Sequence, residues 1–175
     1  MTSPVVNSFM VIDVDDRDLV NQLLALYHRL SDQGLEEYLE DIAHPYLQDR
    51  AAARFAAEGD DAVGKWLPLD ATTVQIRLAL GYGGAHPINV RTRDLLTYMI
   101  TAGAETGKIA DGMELTFPAS GGDPLIQEKI RTAQTGKAIP STPPRPVVAL
   151  SEKDGTDLTM LLSDYITDGL IGGII

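Results

Sequence analysis

The sequence contains no cysteine, one tryptophan and three phenylalanines in 175 residues. The absence of cysteine excludes a disulfide scaffold, a thiolate-ligated zinc or iron–sulfur site and a thiol nucleophile, and it suits a reducing compartment. No run of apolar residues approaches the ~18 that a membrane-spanning helix needs. Residues 1–16 lack the basic start and long apolar run of a signal peptide. We therefore expect neither secretion nor membrane insertion.

Basic residues are also scarce. The chain has 25 acidic side chains against 14 lysines and arginines, which gives a net charge of −11. The balance is −9 over residues 1–70 (14 acids, 5 bases), +2 over 71–150 (6 acids, 8 bases) and −4 over 151–175 (5 acids, 1 base). An acidic chain repels the DNA backbone, so stable non-specific DNA binding is not expected. The opposite signs of the middle and the ends permit head-to-tail contacts between copies of the chain.

The residues that are present fit one folded domain over residues 1–175. Hydrophobic residues make up 44% of the chain and charged residues 22%, which is ordinary for a globular protein. Residues 1–14 include an apolar run at 9–14, which predicts an N-terminal arm or an edge strand. Residues 170–175 form an apolar C-terminal tail.

The N-terminal third is predicted to form a long helical hairpin. Asp15 or Asp16 caps a first helix that runs to about residue 31, and Gly34 is expected to break it. A second helical pattern covers residues 35–58, and Pro45 is expected to kink or divide it. The first helix carries apolar residues at the spacing typical of a packed face: Leu19, Leu23, Leu26 and Leu30, widened by Val20, Leu24 and Tyr27.

The remaining predicted elements are shorter. Asp70 caps a helix that runs to about residue 80, and two more helices cover 93–101 and 123–132. Residues 113–117 alternate as a strand does, and 147–150 forms a second strand-like segment of a small sheet. Ser151 opens a last helix through a capping-box pattern, and Gly169 is its expected C-cap. The fold class is therefore α+β, with a long N-terminal helical hairpin, a small β-sheet, a C-terminal helix, extended loops (81–87 and 136–146) and terminal arms.

No motif in the sequence points to catalysis. The three histidines have no metal-ligand spacing, and the aspartates between residues 13 and 18 lack the glycine and glutamate of a calcium loop. The glycine-rich residues 81–84 are not followed by the Lys-Ser or Lys-Thr of a phosphate-binding loop, and residues 120–122 have the wrong order for a nucleophile elbow. We predict no catalytic residue, no metal and no cofactor, and therefore no enzyme.

Several segments together resemble the virion morphogenesis (tail completion) family of tailed bacteriophages. The resemblance covers residues 54–60, the Trp-x-Pro-Leu motif at 66–69, Arg77, the Gln-x-Gly loop at 134–136, and the Pro-Arg-Pro wedge that leads into Leu-Ser-Glu at 144–152. About two-thirds of the chain is covered, loosely. The chain has Ala133 where the family has a histidine, and residues 92–95 depart from the family's Thr-Gly-x-Leu segment.

The resemblance implies a structural role in virion assembly. Members of this family are similar in role to neck proteins, so the expected product is a homo-oligomeric ring, a hexamer, at the head–tail interface. The ring is expected to act as tail terminator: it caps the tail tube and joins it to the head connector. Its expected partners are a head connector or stopper protein on one face and the major tail tube protein on the other. Double-stranded DNA passes through the lumen without tight binding, and the location is the virion, with the bacterial cytoplasm during assembly.

Two sets of residues follow from these considerations. The expected subunit or partner contacts lie in the two long loops and the tail: Tyr82, His86, Gln134, Lys137, Pro143, Pro144, Arg145, Pro146, Leu170, Ile171, Ile174 and Ile175. The expected structural anchors lie around the lone tryptophan and the start of the last helix: Trp66, Pro68, Leu69, Leu150 and Ser151.

Two alternatives stay open. The first is a head–tail adaptor or stopper ring, which differs from a terminator in its neighbours and its symmetry. The second, of another class, is an acidic regulatory binding protein such as an anti-repressor or a DNA mimic, which the net charge of −11 favours. A small hydrolase is disfavoured because the sequence offers no nucleophile–base pair.

Deletion of residues 170–175 is predicted to impair assembly more than monomer folding, because this apolar tail is expected to lie against a neighbouring copy. Light scattering would measure the oligomeric mass and thermal unfolding the stability of the truncated chain. Unchanged oligomerisation of the truncation would contradict a role for the tail.

Overall fold

A computed structural model describes residues 17–89, 93–101, 103–118, 123–137 and 143–171. Within these ranges the chain combines helices with two small antiparallel sheets, which confirms the α+β prediction. The predicted arm 1–14 and residues 172–175 lie outside the described residues.

The helices dominate the fold and the strands are short. In chain order the elements are α1 (Arg17–Arg29), α2 (Asp32–Tyr38), a π-helical turn (Leu39–Ala43), α3 (His44–Ala57), β1 (Gly59–Asp60), β2 (Gly64–Lys65), α4 (Ala71–Ala79), α5 (Asp94–Thr101), β3 (Glu105–Ile109), β4 (Gly112–Thr116), α6 (Pro124–Thr135) and α7 (Glu152–Ile171).

The break between the first two helices differs from the prediction. Helix α1 ends at Arg29, and Ser31 caps α2 by accepting a hydrogen bond from the Gly34 N–H at 3.2 Å. Gly34 therefore lies inside α2, where it is buried. A Cβ at this position would lie 2.3 Å from the His28 carbonyl oxygen, so glycine is needed for the close approach of the two helices rather than to break one.

Helices α2 and α3 follow one another as a single rod, which a π-helical turn interrupts just before Pro45. The sequence analysis predicted a kink or a division at this proline. The π-helical turn immediately precedes α3, and Pro45 occupies the first turn of α3. Proline has no N–H to donate to the residue four positions earlier, so the regular α-helical ladder cannot pass through it. The wider turn accommodates this interruption without ending the rod.

The end of α3 leads into a short β-hairpin, with two residues in each strand, that the sequence analysis missed. Glu58 ends the helix in the left-handed region, with φ 54°. At Gly59, with φ 119°, a Cβ would lie 2.0 Å from the Gly64 carbonyl oxygen, so only glycine fits. The strands β1 and β2 pair in register Gly59 with Lys65.

The second sheet was predicted with the wrong partner strand. Strand β4 pairs with β3, its immediate neighbour in sequence, in a register that places Thr106 opposite Leu115. Residues 147–150 form no strand in this sheet. Strand β3 escaped notice because it contains a glycine and a lysine, which have low β-propensity, so the pairing depends on the tight turn and not on an apolar pattern.

The core of the described residues is small and is centred on Trp66, which is 6% exposed. The indole packs edge-to-face on Phe55, with ring centroids 5.4 Å apart. The buried residues of this cluster come from α3, α5, α6 and the loops between them: Ala51, Phe55, Trp66, Ile88, Leu95, Met99, Ala133 and Val147.

Buried arginines connect the irregular segments to this core. Arg54 donates hydrogen bonds to the carbonyl oxygens of Val147 (2.9 Å) and Ala149 (2.8 Å) and to Asp60 (2.7 Å). Arg145 donates to the carbonyl oxygens of Leu67 (2.7 Å) and Pro68 (3.0 Å). Both guanidinium groups therefore satisfy backbone acceptors that lack strand partners.

The last helix starts as predicted and ends later than predicted. The Ser151 hydroxyl accepts from the Asp154 N–H at 3.1 Å, and the Asp154 carboxylate accepts from the Ser151 N–H at 2.8 Å, which is a reciprocal capping box. The expected C-cap at Gly169 is wrong because α7 continues to Ile171.

Trp66→Ala is predicted to lower the free energy of unfolding by about 3–5 kcal/mol, because it leaves a cavity in a small core and removes the hydrogen bond from the indole Nε1 to the Pro146 carbonyl oxygen (3.0 Å). Urea unfolding followed by circular dichroism would measure this loss. A loss below about 1 kcal/mol would contradict the central packing of the indole.

Candidate assembly surface

Helix α1 turns its most apolar face away from the other described residues. The half-buried face carries Gln22, Ala25, Leu26 and Arg29. The opposite face is exposed by 46–75% at every apolar position: Val20, Leu23, Leu24, Tyr27 and Leu30. We call these five residues the outer α1 face.

Helical geometry makes the outer α1 face a continuous stripe. At 100° per residue, its five positions fall within an arc of about 120°. This is the width of the apolar face with which an amphipathic helix normally packs on a core. Among the described residues, the prediction of a packed face is therefore wrong for these five positions. Leu26 is half-buried, as expected, and the side chain of Leu19 lies outside the described residues.

Polar contacts and aromatic rings fix the inner side of α1 and α2 on α7. The Arg29 guanidinium lies 4.7 Å above the Tyr165 ring. The Tyr38 hydroxyl donates to the Leu158 carbonyl oxygen at 2.7 Å, and the Tyr165 hydroxyl donates to Glu37 at 3.3 Å. Of these contacts, only the one between Arg29 and Tyr165 involves α1, and it turns the Arg29 side of α1 towards α7.

A second group of exposed apolar residues lies along α4 and in the following loop: Ile76, Leu78, Leu80 and Tyr82, which are exposed by 37–59%. At 100° per residue, Ile76 and Leu80 share one face of the helix, whereas Leu78 lies on the opposite face. Large exposed apolar patches on a soluble chain mark interaction surfaces. The described residues therefore carry one broad apolar stripe on α1 and a smaller exposed apolar pair, Ile76 and Leu80, on one face of α4.

The strongest charge cluster joins α3 to α7. The Tyr46 hydroxyl donates to Asp154 (2.7 Å) or Asp157 (3.0 Å), and Arg50 contacts both Asp154 (2.5 Å) and Asp61 (2.7 Å). Every carboxylate in the cluster has donors within the chain. The arrangement braces two helices and presents no unpaired nucleophile or base.

The ionisation of this cluster follows from its contacts. Burial alone would raise the pKa of Asp154, but hydrogen bonds from Ser151, Tyr46 and Arg50 lower that pKa to about 2. Burial and the two carboxylates raise the pKa of Tyr46. The aspartate is therefore ionised and the tyrosine protonated near neutral pH.

The structure divides the predicted contact residues into two groups. Tyr82, His86, Lys137 and Pro144 lie at the surface. His86 bonds to Glu58 at 2.7 Å, Lys137 lies 3.3 Å from Glu128, and the Glu128 pKa is lowered to about 2 by Arg131 and Lys137.

Arg145 and Gln134 differ from the expectation of a contact with another subunit, because both face the interior of the chain. Arg145 is buried against residues 67–68, as described above. Gln134 donates to the Val148 carbonyl oxygen at 2.6 Å and accepts from the Val147 N–H at 3.2 Å. The partly buried Pro143 and Pro146 flank this inner frame, while the side chains of Leu170 and Ile171 and all of Ile174 and Ile175 lie outside the described residues.

The predicted anchors also divide. Trp66 is buried, Leu69 is partly buried against the core, and Ser151 caps α7. Pro68 and Leu150 are exposed, so their side chains do not anchor the isolated chain. Pro68 contributes only its carbonyl oxygen, which Arg145 binds.

The burial of Arg54 and the exposure of the outer α1 face are the two structural features that the sequence analysis did not predict. The apolar period of α1 was visible in the sequence, but a period does not say which face meets the chain. An arginine within an alanine-rich helix gave no sign that it would be buried, since most arginines are exposed.

The described residues hold neither a metal site nor a membrane-spanning helix. Across the described ranges, no group of three or more histidine, aspartate or glutamate side chains is arranged to hold a metal ion. Among the same residues, no helix has the length and apolar character to span a membrane.

Comparison with known proteins does not identify the chain. No family model, no curated protein and no solved structure matches it. The resemblance to phage neck proteins therefore stays a prediction from the sequence.

Asp154→Asn is predicted to lower the free energy of unfolding by about 2 kcal/mol near pH 7, because a folded-state pKa of about 2 lies below the ordinary value of 3.8. A depressed carboxyl pKa stabilises the fold above pH 4, and this contribution is lost as the pH falls from about 4 to about 2. The difference between the variant and the unaltered chain should shrink over that window in urea unfolding experiments.

The matched control is Asp164→Asn on the exposed side of the same helix. It should change the free energy of unfolding by less than about 0.5 kcal/mol at pH 7. A difference for Asp154→Asn that does not change with pH would contradict the assignment of the ionised carboxylate.

Proposed function

We propose that the chain is a structural subunit of the neck of a tailed-phage virion and forms a homo-oligomeric ring at the head–tail interface. The most specific form of the proposal is a tail terminator that caps the tail tube and joins it to the head connector. The observation that carries it is the outer α1 face, an apolar stripe of helix-packing width that the described chain leaves uncovered.

The motifs that resemble the neck family support the proposal because they contact one another. Arg54 bonds to Val147 across 93 residues of sequence, Trp66 to Pro146 across 80, and Arg145 to Leu67 across 78. Gln134 joins the same site through Val148. These residues therefore form one hydrogen-bonded structural unit. Such a unit holds the outer surfaces of the subunit in fixed positions, which a role in assembly requires.

The two apolar surfaces fit a closed ring. In a ring with head-to-tail contacts, each subunit uses two different surfaces, one facing each neighbour. The outer α1 face supplies one such surface, and the exposed pair Ile76 and Leu80 on α4 is the candidate for the second. The acidic N-terminal residues and the basic middle residues add charge complementarity between neighbours, and the net charge of −11 disfavours tight binding of DNA in the lumen.

A head–tail adaptor or stopper ring remains the alternative within the neck. It would use the same surfaces and differ in the proteins on either face. An acidic regulatory protein is favoured only by the net charge, and several acids, such as Asp154 and Glu128, bind cations of their own chain.

Leu24→Glu combined with Tyr27→Glu is predicted to abolish ring formation and to leave the monomer folded, because both side chains are exposed and neither belongs to the core. Light scattering would measure the mass, about 113 kDa for six chains of 18.9 kDa each, and negative-stain electron microscopy would show the ring. Circular dichroism would measure the fold.

The matched control is Leu125→Glu, which changes a leucine that is 71% exposed on α6, outside both surfaces. It should leave the ring intact. A purified chain that stays monomeric at high concentration, or a double variant that still forms rings, would contradict the proposal. The protein on each face, identified in assembled particles, separates a terminator from an adaptor or stopper.

A further inference from the structure

The outer α1 face begins about one helical turn after the point where the described chain starts. Helix α1 starts at Arg17, and the face runs from Val20 to Leu30. In an α-helix this stretch spans about 15 Å. A shallow hollow of about 600 Å³ lies at the α2 end of the face, and its apolar lining is Leu23, Leu26, Tyr27 and Leu30. The face therefore has the length and the depth to receive a short apolar segment.

The residues that precede α1 in the sequence include such a segment. Residues 9–14 are apolar except for Asp13, and they lie outside the described residues. In an extended chain, successive side chains point to opposite sides, so Met10, Ile12 and Val14 share a side that carries no charge. From Met10 to Val14 an extended chain spans about 14 Å. One side of this arm therefore matches the outer α1 face in length and in apolar character.

The link between the arm and the helix is too short for the arm to fold back without strain. Only Asp15 and Asp16 separate Val14 from Arg17. A fully extended link from Val14 to Arg17 reaches at most about 10–11 Å. Two elements that pack face to face lie about 8–10 Å apart, so the link would be stretched just where the chain reverses direction. Short hinges under strain favour exchange of a segment with another copy.

We infer that residues 9–14 of a neighbouring copy cover the outer α1 face. The contact removes apolar surface of both the arm and the helix from water, which stabilises the association. The backbone groups of the arm stay at the surface, where water satisfies them, so the arm needs no partner strand. Exchange in one direction around a closed ring uses one arm and one outer α1 face of every subunit.

The apolar C-terminal residues fit this face less well than the arm does. Among residues 172–175 the apolar side chains larger than glycine are Ile174 and Ile175, which are adjacent in sequence. An extended chain turns adjacent side chains to opposite sides, so only one of the two would reach the face. The arm places three side chains on one side.

This inference deepens the proposed function, because it names the partner of the outer α1 face, and it rests on that proposal for the ring. The arm is then the surface that meets the outer α1 face, and the pair Ile76 and Leu80 on α4 is left for another contact. The contact between arm and helix is tested separately from the ring.

The absence of cysteine from the chain makes disulfide cross-linking specific. Ile12 is the centre of the apolar side of the arm, and Leu24 lies near the centre of the outer α1 face, so the two meet whichever way the arm runs. The full chain with Ile12→Cys and Leu24→Cys, after mild oxidation, should form covalent oligomers on a non-reducing gel. The control pairs Ile12→Cys with Leu125→Cys, at the exposed leucine of α6, and should form none.

A pair of charges tests the same contact without a covalent bond. Ile12→Lys alone and Leu24→Glu alone should each weaken association at least about tenfold, because each places a charge in an apolar contact. The two changes together should associate more tightly than either alone, because the charges are opposite. Val11→Lys, on the other side of the arm, is the matched control and should associate like the unaltered chain. Light scattering over a dilution series measures association, and circular dichroism the fold.

The outcomes separate the arm contact from the ring. A 12–24 disulfide within one chain would overturn the exchange, because the arm would lie on its own helix. Disulfides between the Leu24→Cys positions of two copies would overturn it in favour of α1 packed on α1. A ring in which Ile12→Lys associates normally overturns this inference alone. Dimers joined by 12–24 disulfides, without a ring, support it and contradict the proposed ring alone. A chain that stays monomeric contradicts both.

Discussion

The hydrogen bonds of the Arg54 guanidinium are the interaction on which the rest of the fold depends. Residues 147–150 cross the core without a partner strand, so their carbonyl groups would otherwise lie buried and unsatisfied. Arg54 donates to two of these carbonyls and is held in place by Asp60. The same segment leads directly into the capping box of α7, so the start of the last helix is positioned through Arg54, while contacts from Tyr38, Tyr46 and Arg50 hold its length.

Arg54 and Arg145 hold irregular segments of backbone against a small core, so few buried apolar residues are needed to fix the arrangement of the helices. Among the described side chains, eight residues form the buried cluster, and α1 contributes none of them. Helix α1 packs instead on α7, where the Arg29 guanidinium lies over the Tyr165 ring. Because polar and aromatic contacts suffice on that side, the leucines of α1 are free to serve another surface, and this separation of inner and outer contacts suits a subunit of a larger assembly.

The features that were predictable from the sequence are local ones. Asp70 and Ser151 cap their helices as predicted, because a cap is determined by residues three positions apart. The features that were not predictable depend on the path of the backbone, even where the partners are close in sequence. The role of Gly34 depends on how closely α2 approaches the His28 carbonyl oxygen, and the partner of β4 was assigned to residues 147–150 because that segment is more apolar than the neighbouring β3.

The candidate site shows the same division. The Trp66 motif and the Pro-Arg-Pro wedge were recognised as a group, but only the structure shows that Arg145 faces inward and that Leu150 faces outward.

The π-helical turn between Tyr38 and Phe55 has a further consequence. Each helical residue rotates the side chains by 100°, so removal of one residue from this turn would reorient either Tyr38 away from α7 or Phe55 away from the core. The number of residues between these two aromatic rings is therefore fixed by the fold, so inserting or deleting one residue in this turn should destabilise the chain more than substituting one.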